Sequence, residues 1–82
     1  MQTILIDGSR YASAKDLHRA LKRMLSLPDY YGMNADALND CLSERSEAVN
    51  LWIISAGKCE TASALETVRR VFEDNGGTVK EI

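Results

Sequence analysis

The sequence predicts an α/β fold: a three-stranded parallel sheet in strand order 1-2-3, with the helices packed on one face. Apolar segments and helical repeats follow one another in the order strand, helix, helix, strand, helix, strand, which is typical of parallel strands joined by crossover helices. The segment Val49–Ser55 is almost continuously apolar, which suggests a central strand buried on both faces. Right-handed crossovers in this strand order place every helix on the same side of the sheet.

The first half of the chain supplies one strand and one helix. Thr3–Ile6 is a short β-branched run that ends at the turn signal Asp7-Gly8. Ser13 precedes a helical repeat, and together with Asp16 it forms a pattern similar to a capping box. Pro28 ends this helix, because proline disfavours helical geometry in the residue before it. The apolar stripe of the helix consists of Leu17, Ala20, Leu21, Met24 and Leu25.

The second half begins with a short helix over Ala35–Ser43, for which Asn34 is a good N-cap. The charged stretch from 44 to 48 fits either a further helical turn or a surface loop. After the central strand, Thr61 or Ser63 is expected to cap a last helix, which the glycines at 76 and 77 end. The core face of that helix consists of Leu65, Val68, Val71 and Phe72, and residues 78–82 form the final strand.

Length and composition predict a single domain over residues 1–82. The chain is 45% apolar, which is ordinary for a globular protein and argues against disorder. We find neither a run of ~18 apolar residues, as a membrane helix needs, nor a signal-peptide pattern. We therefore expect a cytoplasmic protein, in which a disulfide between Cys41 and Cys59 is not favoured. These cysteines and His18 do not form a ligand-spaced cluster, so no metal or cofactor is expected.

The net charge of −2 hides an uneven distribution. Residues 10–23 carry five cations and one acid, a balance of +4, whereas residues 29–47 carry five acids and one cation, a balance of −4. A concentrated negative field repels nucleic acid and accelerates the encounter with a basic partner. The alternative is that both stretches are simply solvated helix faces. No basic, aromatic-interleaved surface of the kind that binds nucleic acid is evident.

The most informative segment is Leu27–Leu42, which reads LPDYYGMNADALNDCL. Its aromatic pair, Tyr30-Tyr31, is expected to present one ring and bury the other, and Gly32 is expected to turn the chain at a positive φ. On the helix that follows, Asp36 and Asp40 are four residues apart and are therefore neighbours on one face. The segment predicts a rigid acidic ridge beside exposed aromatic side chains, which suits docking onto a basic cleft.

This segment resembles the barstar family of ribonuclease inhibitors. The resemblance rests on the pattern L-x-L-P-D-Y-Y-G-x-N-x-D-A-L-x-D-C-L from Leu25 to Leu42. Asp16-Leu17-His18, the ILIDG at Ile4–Gly8 and the VFED at Val71–Asp74 support it, so that about half of the chain matches. The resemblance implies a two-layer barstar-like fold and an inhibitor that blocks a basic active site. In such an inhibitor, carboxylates take the place of phosphate oxygens.

The resemblance also implies contact residues. Asp40 corresponds to the acid that enters the partner's phosphate pocket, and Asp36 to a second contacting acid. Tyr30 and Asn34 correspond to contacts in the preceding loop, and Asp74 to an acid near the end of the last helix. Simpler roles exist for three of them: Asp36 favours the helix N-terminus, Asn34 caps it, and Asp74 is an ordinary helix-end acid.

The chain departs from the family pattern within the expected interface. Asn39 occupies the position of a family tryptophan, and aromatic anchors often dominate interface energy. From Ser43 onward the chain adds charge, through Glu44 and Arg45, at the expected edge of the interface. The expected partner-binding set is Tyr30, Asn34, Asp36, Asn39, Asp40, Ser43 and Asp74.

Three functions compete on these residues. The first is an intracellular inhibitor, monomeric or weakly oligomeric, of a basic ribonuclease that is either the cell's own secreted enzyme or an incoming toxin. The second is a barstar-like interaction or regulatory module with a non-nuclease partner, which the loss of the aromatic residue at Asn39 favours. The third is an enzyme in which Cys41 is the nucleophile and His18 the base. Nothing in their spacing supports this third function, and we expect a protein without catalytic activity.

Overall fold

Three parallel strands and three α-helices follow one another in the predicted order. The elements are β1 (Gln2–Asp7), α1 (Ala14–Leu25), α2 (Ala35–Ser43), β2 (Val49–Ile54), α3 (Ala62–Asp74) and β3 (Val79–Glu81), with 3-10 turns at Gly8–Arg10 and Ala56–Lys58. This computed structural model describes residues 2–58 and 60–82, and only the backbone of residue 58. The strand order is β1-β2-β3 and both strand pairs are parallel, so the predicted fold class is confirmed.

One face of the sheet carries the hydrophobic core. Ile4 and Ile6 of β1 stand opposite Leu51 and Ile53 of β2, and all four side chains are buried. The helices contribute their apolar stripes to the same core, so they form a second layer on this face, as right-handed crossovers require. The helical core residues are Leu17, Leu21 and Leu25 of α1, Leu38 and Leu42 of α2, and Leu65, Val68, Val71 and Phe72 of α3.

The opposite face of the sheet is open. Leu5, Trp52 and Lys80 stand side by side across the three strands because they are paired in register. Leu5 is 50% exposed and Trp52 is 41% exposed. The Lys80 ammonium lies 5.3 Å from the centroid of the Trp52 ring, within the range of a cation–π interaction. The expectation that the central strand is buried on both faces is therefore wrong at Trp52.

The segment between α2 and β2 is a loop rather than a further helical turn. Arg45 anchors this loop to two other elements. One guanidinium nitrogen donates to the carbonyl of Leu25, the last residue of α1, and the other lies 3.4 Å from the side-chain oxygen of Gln2. The end of α2 is thereby tied to the end of α1 and to the start of the first strand.

The helix ends follow the chemistry of their capping residues. The hydroxyl of Ser13 accepts a hydrogen bond from the amide of Asp16 at 3.1 Å, as the sequence predicts. α3 begins after Thr61, one of its two expected caps, but the Thr61 side chain makes no capping hydrogen bond to the helix. Beyond its end, a Cβ atom at Gly77 would lie 2.0 Å from the carbonyl oxygen of Val49. The close approach of this turn to β2 therefore requires glycine at position 77.

Candidate functional site

α2 and its C-cap residue Glu44 present three exposed carboxylates on one side. Asp36, Asp40 and Glu44 follow one another at four-residue spacing, so they occupy successive turns of the same helix face. We refer to these three residues as the acidic face. None of them forms an ion pair within the part of the chain that the structure describes. The ion pairs lie elsewhere: Asp7–Arg10, Asp16–Arg19, Asp29–Lys22, Glu66–Arg69, Glu66–Arg70 and Glu81–Arg69.

Asn34 fixes the start of α2 through both ends of its side-chain amide. Its Oδ1 accepts a hydrogen bond from the amide of Ala37 at 2.8 Å, so the predicted N-cap is confirmed. Its Nδ2 donates to the carbonyl of Gly32 at 3.1 Å. At the other end, the hydroxyl of Ser43 donates to the carbonyl of Asp40 at 2.8 Å, which satisfies one of the last carbonyl groups of the helix.

The loop over residues 27–34, which we name the docking loop, presents one tyrosine and buries the other. Tyr30 is 82% exposed, whereas Tyr31 is 5% exposed and joins the core. This division was expected, but the expected positive φ at Gly32 is wrong, because Met33 is the left-handed residue at φ 56°. Gly32 is restricted by space instead: a Cβ there would lie 3.3 Å from Nδ2 of Asn34.

A groove of about 230 Å³ separates the docking loop from the acidic face. Tyr30 of the docking loop lines this groove together with Asp40, Cys41 and Glu44. Cys41 is half-buried and free. Burial raises the pKa of the Cys41 thiol, and the charges of Glu44 and Asp40 raise it further. A raised pKa keeps the thiol protonated, which disfavours the role of nucleophile. Cys59 lies outside the described residues.

A side-chain hydrogen bond joins Asn39 of α2 to the residue that follows α3. Nδ2 of Asn75 donates to Oδ1 of Asn39 at 2.8 Å, and it also donates to the carbonyl of Val71 at 2.8 Å. Asn75 directly follows α3, whose last residue is Asp74. The position of the family tryptophan therefore holds a polar contact between α2 and the end of α3, where Asp74 precedes Asn75.

The buried side of the docking loop is held by His18 of α1. Its Nδ1 lies 2.6 Å from the hydroxyl oxygen of Tyr31, and both side chains are buried. Burial lowers the pKa of His18 and raises that of Tyr31. This contact ties α1 to the docking loop.

All seven sequence-predicted contact residues are exposed. They lie on the docking loop, on α2 and at the end of α3, and these three segments adjoin. Sequence reasoning did not assign a role to Asn75, and it treated Glu44 only as added charge, although Glu44 continues the four-residue spacing of the two aspartates. Whether these residues contact a partner stays a prediction.

The described residues contain no group of three or more histidine, cysteine, aspartate or glutamate side chains that could hold a metal ion. Within residues 2–58 and 60–82, moreover, no helix is long and apolar enough to cross a membrane. The chemistry that the site offers is therefore that of exposed carboxylates, amides and one phenol ring. Groups of this kind can form hydrogen bonds and charge interactions with another protein surface.

Fold and site together define a small α/β protein with a preformed acidic surface beside an exposed tyrosine. The chain belongs to the barstar family: the family profile described as "Barstar (barnase inhibitor)" matches residues 1–81. It is also similar to a protein of Bacillus subtilis (strain 168) named "Putative ribonuclease inhibitor YrdF", with 51% identity over 43 residues. That match covers 52% of this chain and 47% of the relative, so it spans about half the length of each.

Proposed function

We propose that this protein inhibits a ribonuclease by covering the enzyme's basic active site with the acidic face and the docking loop. The observation that carries the proposal is that no described residue forms an ion pair with the exposed carboxylates of Asp36 and Asp40. They stand one turn apart on a rigid helix, beside an exposed Tyr30, in a member of the barstar family. A carboxylate accepts charge-assisted hydrogen bonds from arginine, lysine and protonated histidine, the side chains that bind phosphate in a ribonuclease.

The lack of ion pairs matters energetically. A carboxylate that is already bonded to a lysine must lose that bond before it can dock, whereas Asp36 and Asp40 lose only water. Their helix is fixed in advance by the Asn34 cap and by burial of Leu38 and Leu42, so little ordering is needed on binding. The proposed arrangement therefore places charge on a preorganised support.

Each part of the surface has a role in this proposal. Asp40 enters the phosphate pocket and Asp36 binds a second basic group. Tyr30 and Asn34 set the register from the docking loop. Asn39 and Ser43 lie along the same stretch of α2 and form part of the contact area, while Asp74 adds a carboxylate at the end of α3.

The proposed partner is a basic ribonuclease, either one that the cell exports or one that enters as a toxin, and the proposed site of action is the cytoplasm. Attraction between an acidic and a basic surface accelerates the encounter, and salt screens it. The Debye length falls from ~10 Å at 0.1 M salt to ~3 Å at 1 M. Association should therefore slow markedly over this range of salt.

The test is a titration of purified basic ribonucleases with the protein, followed by Asp40→Asn in any complex that forms. Hydrogen bonds to charged groups contribute about 1.5–3 kcal/mol, which corresponds to roughly a 10- to 150-fold loss of affinity. Glu66→Gln is the matched control, because it also removes one charge. The carboxylate of Glu66 pairs with Arg69 and Arg70 of α3 and does not belong to the acidic face.

Stoichiometric inhibition that Asp40→Asn weakens and Glu66→Gln spares is the expected result. If every ribonuclease in the panel keeps full activity at a large excess of the protein, the proposal fails. It fails equally if the two substitutions weaken a complex to the same extent, because the acidic face would then have no special role.

One observation favours a second function, that of an interaction module for a non-nuclease partner. Asn39 stands where the family pattern has tryptophan, and its carbonyl oxygen is bonded to Asn75 rather than offered to a partner. Affinity capture from native cells with wild-type protein and with Asp40→Asn would distinguish the two functions. A partner that lacks nuclease activity and is lost with Asp40→Asn would support this second function.

A further inference from the structure

The open face of the sheet gathers several exposed apolar side chains. Leu5 and Trp52 are paired in register on neighbouring strands, and Ile54 follows on the same side of β2 because side chains alternate along a strand. Ile82 continues the side of β3 that carries Lys80, and its amide still bonds to a carbonyl of β2. Water contacts this apolar patch in a single copy of the chain, so covering the patch is favourable.

Two charged residues flank the apolar patch on opposite edges of the sheet. Lys80 belongs to β3, and its ammonium lies over the ring of Trp52. Asp7 belongs to the other edge, at the end of β1 and on the same side as Leu5. Hydrogen bonds from the hydroxyl and the amide of Ser9 lower the pKa of Asp7, so this carboxylate stays charged around neutral pH. The open face therefore has a cation on one edge, an apolar centre and an anion on the other edge.

Asp7 has a neighbouring cation, Arg10, but this contact leaves room for another. Oδ1 of Asp7 accepts both hydrogen bonds from Ser9, whereas Oδ2 lies 3.9 Å from Nε of Arg10. The Arg10 side chain is exposed, and a long surface ion pair of this kind contributes little. Oδ2 of Asp7 is thus able to accept a hydrogen bond from a second cation.

We propose that the open face is a self-association surface, on which a second copy of this chain stacks with its own open face. A twofold dimer uses the same patch on both copies, so the patch must be complementary to itself. With the twofold axis along the strands, β1 of each copy faces β3 of the other, and Trp52 meets Trp52 near the axis. Lys80 of each copy then faces Leu5 of the other, two residues or roughly 7 Å along the strand from Asp7. A lysine side chain spans this distance, so the dimer forms two symmetric Lys80–Asp7 pairs.

The position of the open face agrees with a second copy as its occupant. The face lies on the side of the sheet away from the helices, whereas the acidic face and the docking loop are built on the helix layer. A dimer therefore leaves both docking surfaces uncovered and is able to hold one ribonuclease on each copy. That consequence rests on the function proposed above, whereas self-association does not. A basic protein fits the open face less well, because it would meet the ammonium of Lys80.

The size of the open face determines how strongly it pairs. Three strands at a spacing of ~4.8 Å, and the five residues from Thr3 to Asp7 at ~3.3 Å each, span roughly 14 by 17 Å. This area is well below the ~800 Å² per partner of a standard stable interface. We therefore expect a weak and reversible dimer, with the monomer dominant at micromolar concentration and the dimer present towards the millimolar range.

Trp52 is the one tryptophan of the chain, so its fluorescence reports on the open face alone. Emission should shift to shorter wavelength as the protein concentration rises from about 10 µM to about 1 mM, because stacking removes water from the indole ring. Sedimentation equilibrium over the same range should show the mean mass rise towards that of two chains. Both measurements belong at low salt, where the Lys80–Asp7 pairs are screened least.

Exchange of charges tests the proposed geometry. Lys80→Glu should weaken dimerisation by about 2- to 30-fold, because it removes two surface ion pairs, and Asp7→Lys should weaken it for the same reason. A mixture of the Lys80→Glu chain with the Asp7→Lys chain should associate more tightly than either chain alone, because every contact between position 7 and position 80 again joins opposite charges. Circular dichroism checks that each variant is folded.

A pair of apolar substitutions tests the patch without changing any charge. Leu5→Gln should weaken dimerisation several-fold, since Leu5 lies in the apolar centre. Met24→Gln is the matched control, because Met24 is also an exposed apolar side chain but belongs to α1. If Asp7→Lys does not fold, the comparison of Leu5→Gln with Met24→Gln decides the question.

A mass that stays at one chain up to about 1 mM at low salt, with unchanged Trp52 emission, would overturn the proposal. Equal weakening by Leu5→Gln and Met24→Gln would do the same, as would mixed charge variants that associate no more tightly than each variant alone. A monomer whose emission shifts only on phosphatidylglycerol vesicles would indicate a membrane surface as the occupant instead. All of these measurements use the protein without an enzyme, so failure of the proposed inhibition leaves their outcome unaffected.

Discussion

Replacing Arg45 with alanine should destabilise the protein, because Arg45 joins three elements. Its guanidinium donates to the carbonyl of Leu25, one of the last carbonyl groups of α1, and approaches the side chain of Gln2 at 3.4 Å. The contact at 3.4 Å is long and exposed, so the bond to Leu25 should contribute most of the stabilisation. A hydrogen bond from a charged donor contributes about 1.5–3 kcal/mol, and the free energy of unfolding should fall by that amount.

Urea denaturation followed by circular dichroism measures this loss. Arg23→Ala is the matched control, because Arg23 is also an arginine near the end of α1 but its side chain is exposed. Arg45→Lys should recover part of the stability, since an ammonium group can reach one acceptor but lacks the planar fork of guanidinium. If Arg45→Ala costs no more than Arg23→Ala, the loop after α2 is held by something other than this residue.

Two further predictions concern the core and the pH. Gly77→Ala should lower the free energy of unfolding by about 1–3 kcal/mol or more, because its Cβ would lie 2.0 Å from the carbonyl oxygen of Val49. Gly57→Ala is the control and should be close to neutral, because a Cβ there would have nothing within 4 Å. Urea titrations compare the two variants. Burial lowers the pKa of His18 in the folded protein, so the unfolded chain binds the proton more tightly than the folded one. The free energy of unfolding is therefore unaffected by His18 above pH 6.5 and decreases as the pH falls below 6.5. The loss by pH 5 is at most about 2 kcal/mol and should be absent in His18→Asn, so equal pH profiles for the two proteins would contradict it.

The fold could be predicted because its determinants are local. Apolar periodicity located the three helices and three strands, and the caps Ser13 and Asn34 make the hydrogen bonds that their residue types favour. The strand ends were less certain, because a single residue decides them. β2 ends at Ile54 because Ser55 adopts a left-handed φ of 55°. The residue types in this stretch do not predict that backbone conformation.

The remaining features depend on contacts between distant residues. The bond between Asn39 and Asn75 spans 36 positions, and the bond between His18 and Tyr31 spans 13. Amides and hydroxyls bond to many partners, so residue type alone does not identify these pairs. The prediction that β2 is buried on both faces was wrong at Trp52 for a related reason. An apolar composition indicates burial, but the alternation of side chains along the strand places Trp52 on the open face.

Asp40, which is proposed to bind the partner, lies where it does little to stabilise the free protein. Asp40 lies four residues from both Asp36 and Glu44, so it meets a like charge on each side, an interaction that costs about 0.2–0.5 kcal/mol per pair. It also lies in the last turn of α2, which holds no basic residue and where the helix dipole disfavours an acid by about 0.3–1 kcal/mol. Under the proposed function, partner binding rather than folding accounts for an acid at this position.

This reasoning predicts that Asp40→Asn raises the free energy of unfolding by about 0.7–2 kcal/mol at low salt while it weakens the proposed complex. Asp36→Asn should lower stability instead or leave it unchanged, because the dipole favours an acid in the first turn and offsets the repulsion from Asp40. Urea titrations at 0.05 M and 1 M salt compare the two, and the gain should shrink at high salt. If Asp40→Asn destabilises the free protein, Asp40 serves the fold, and the argument that its position reflects binding is wrong.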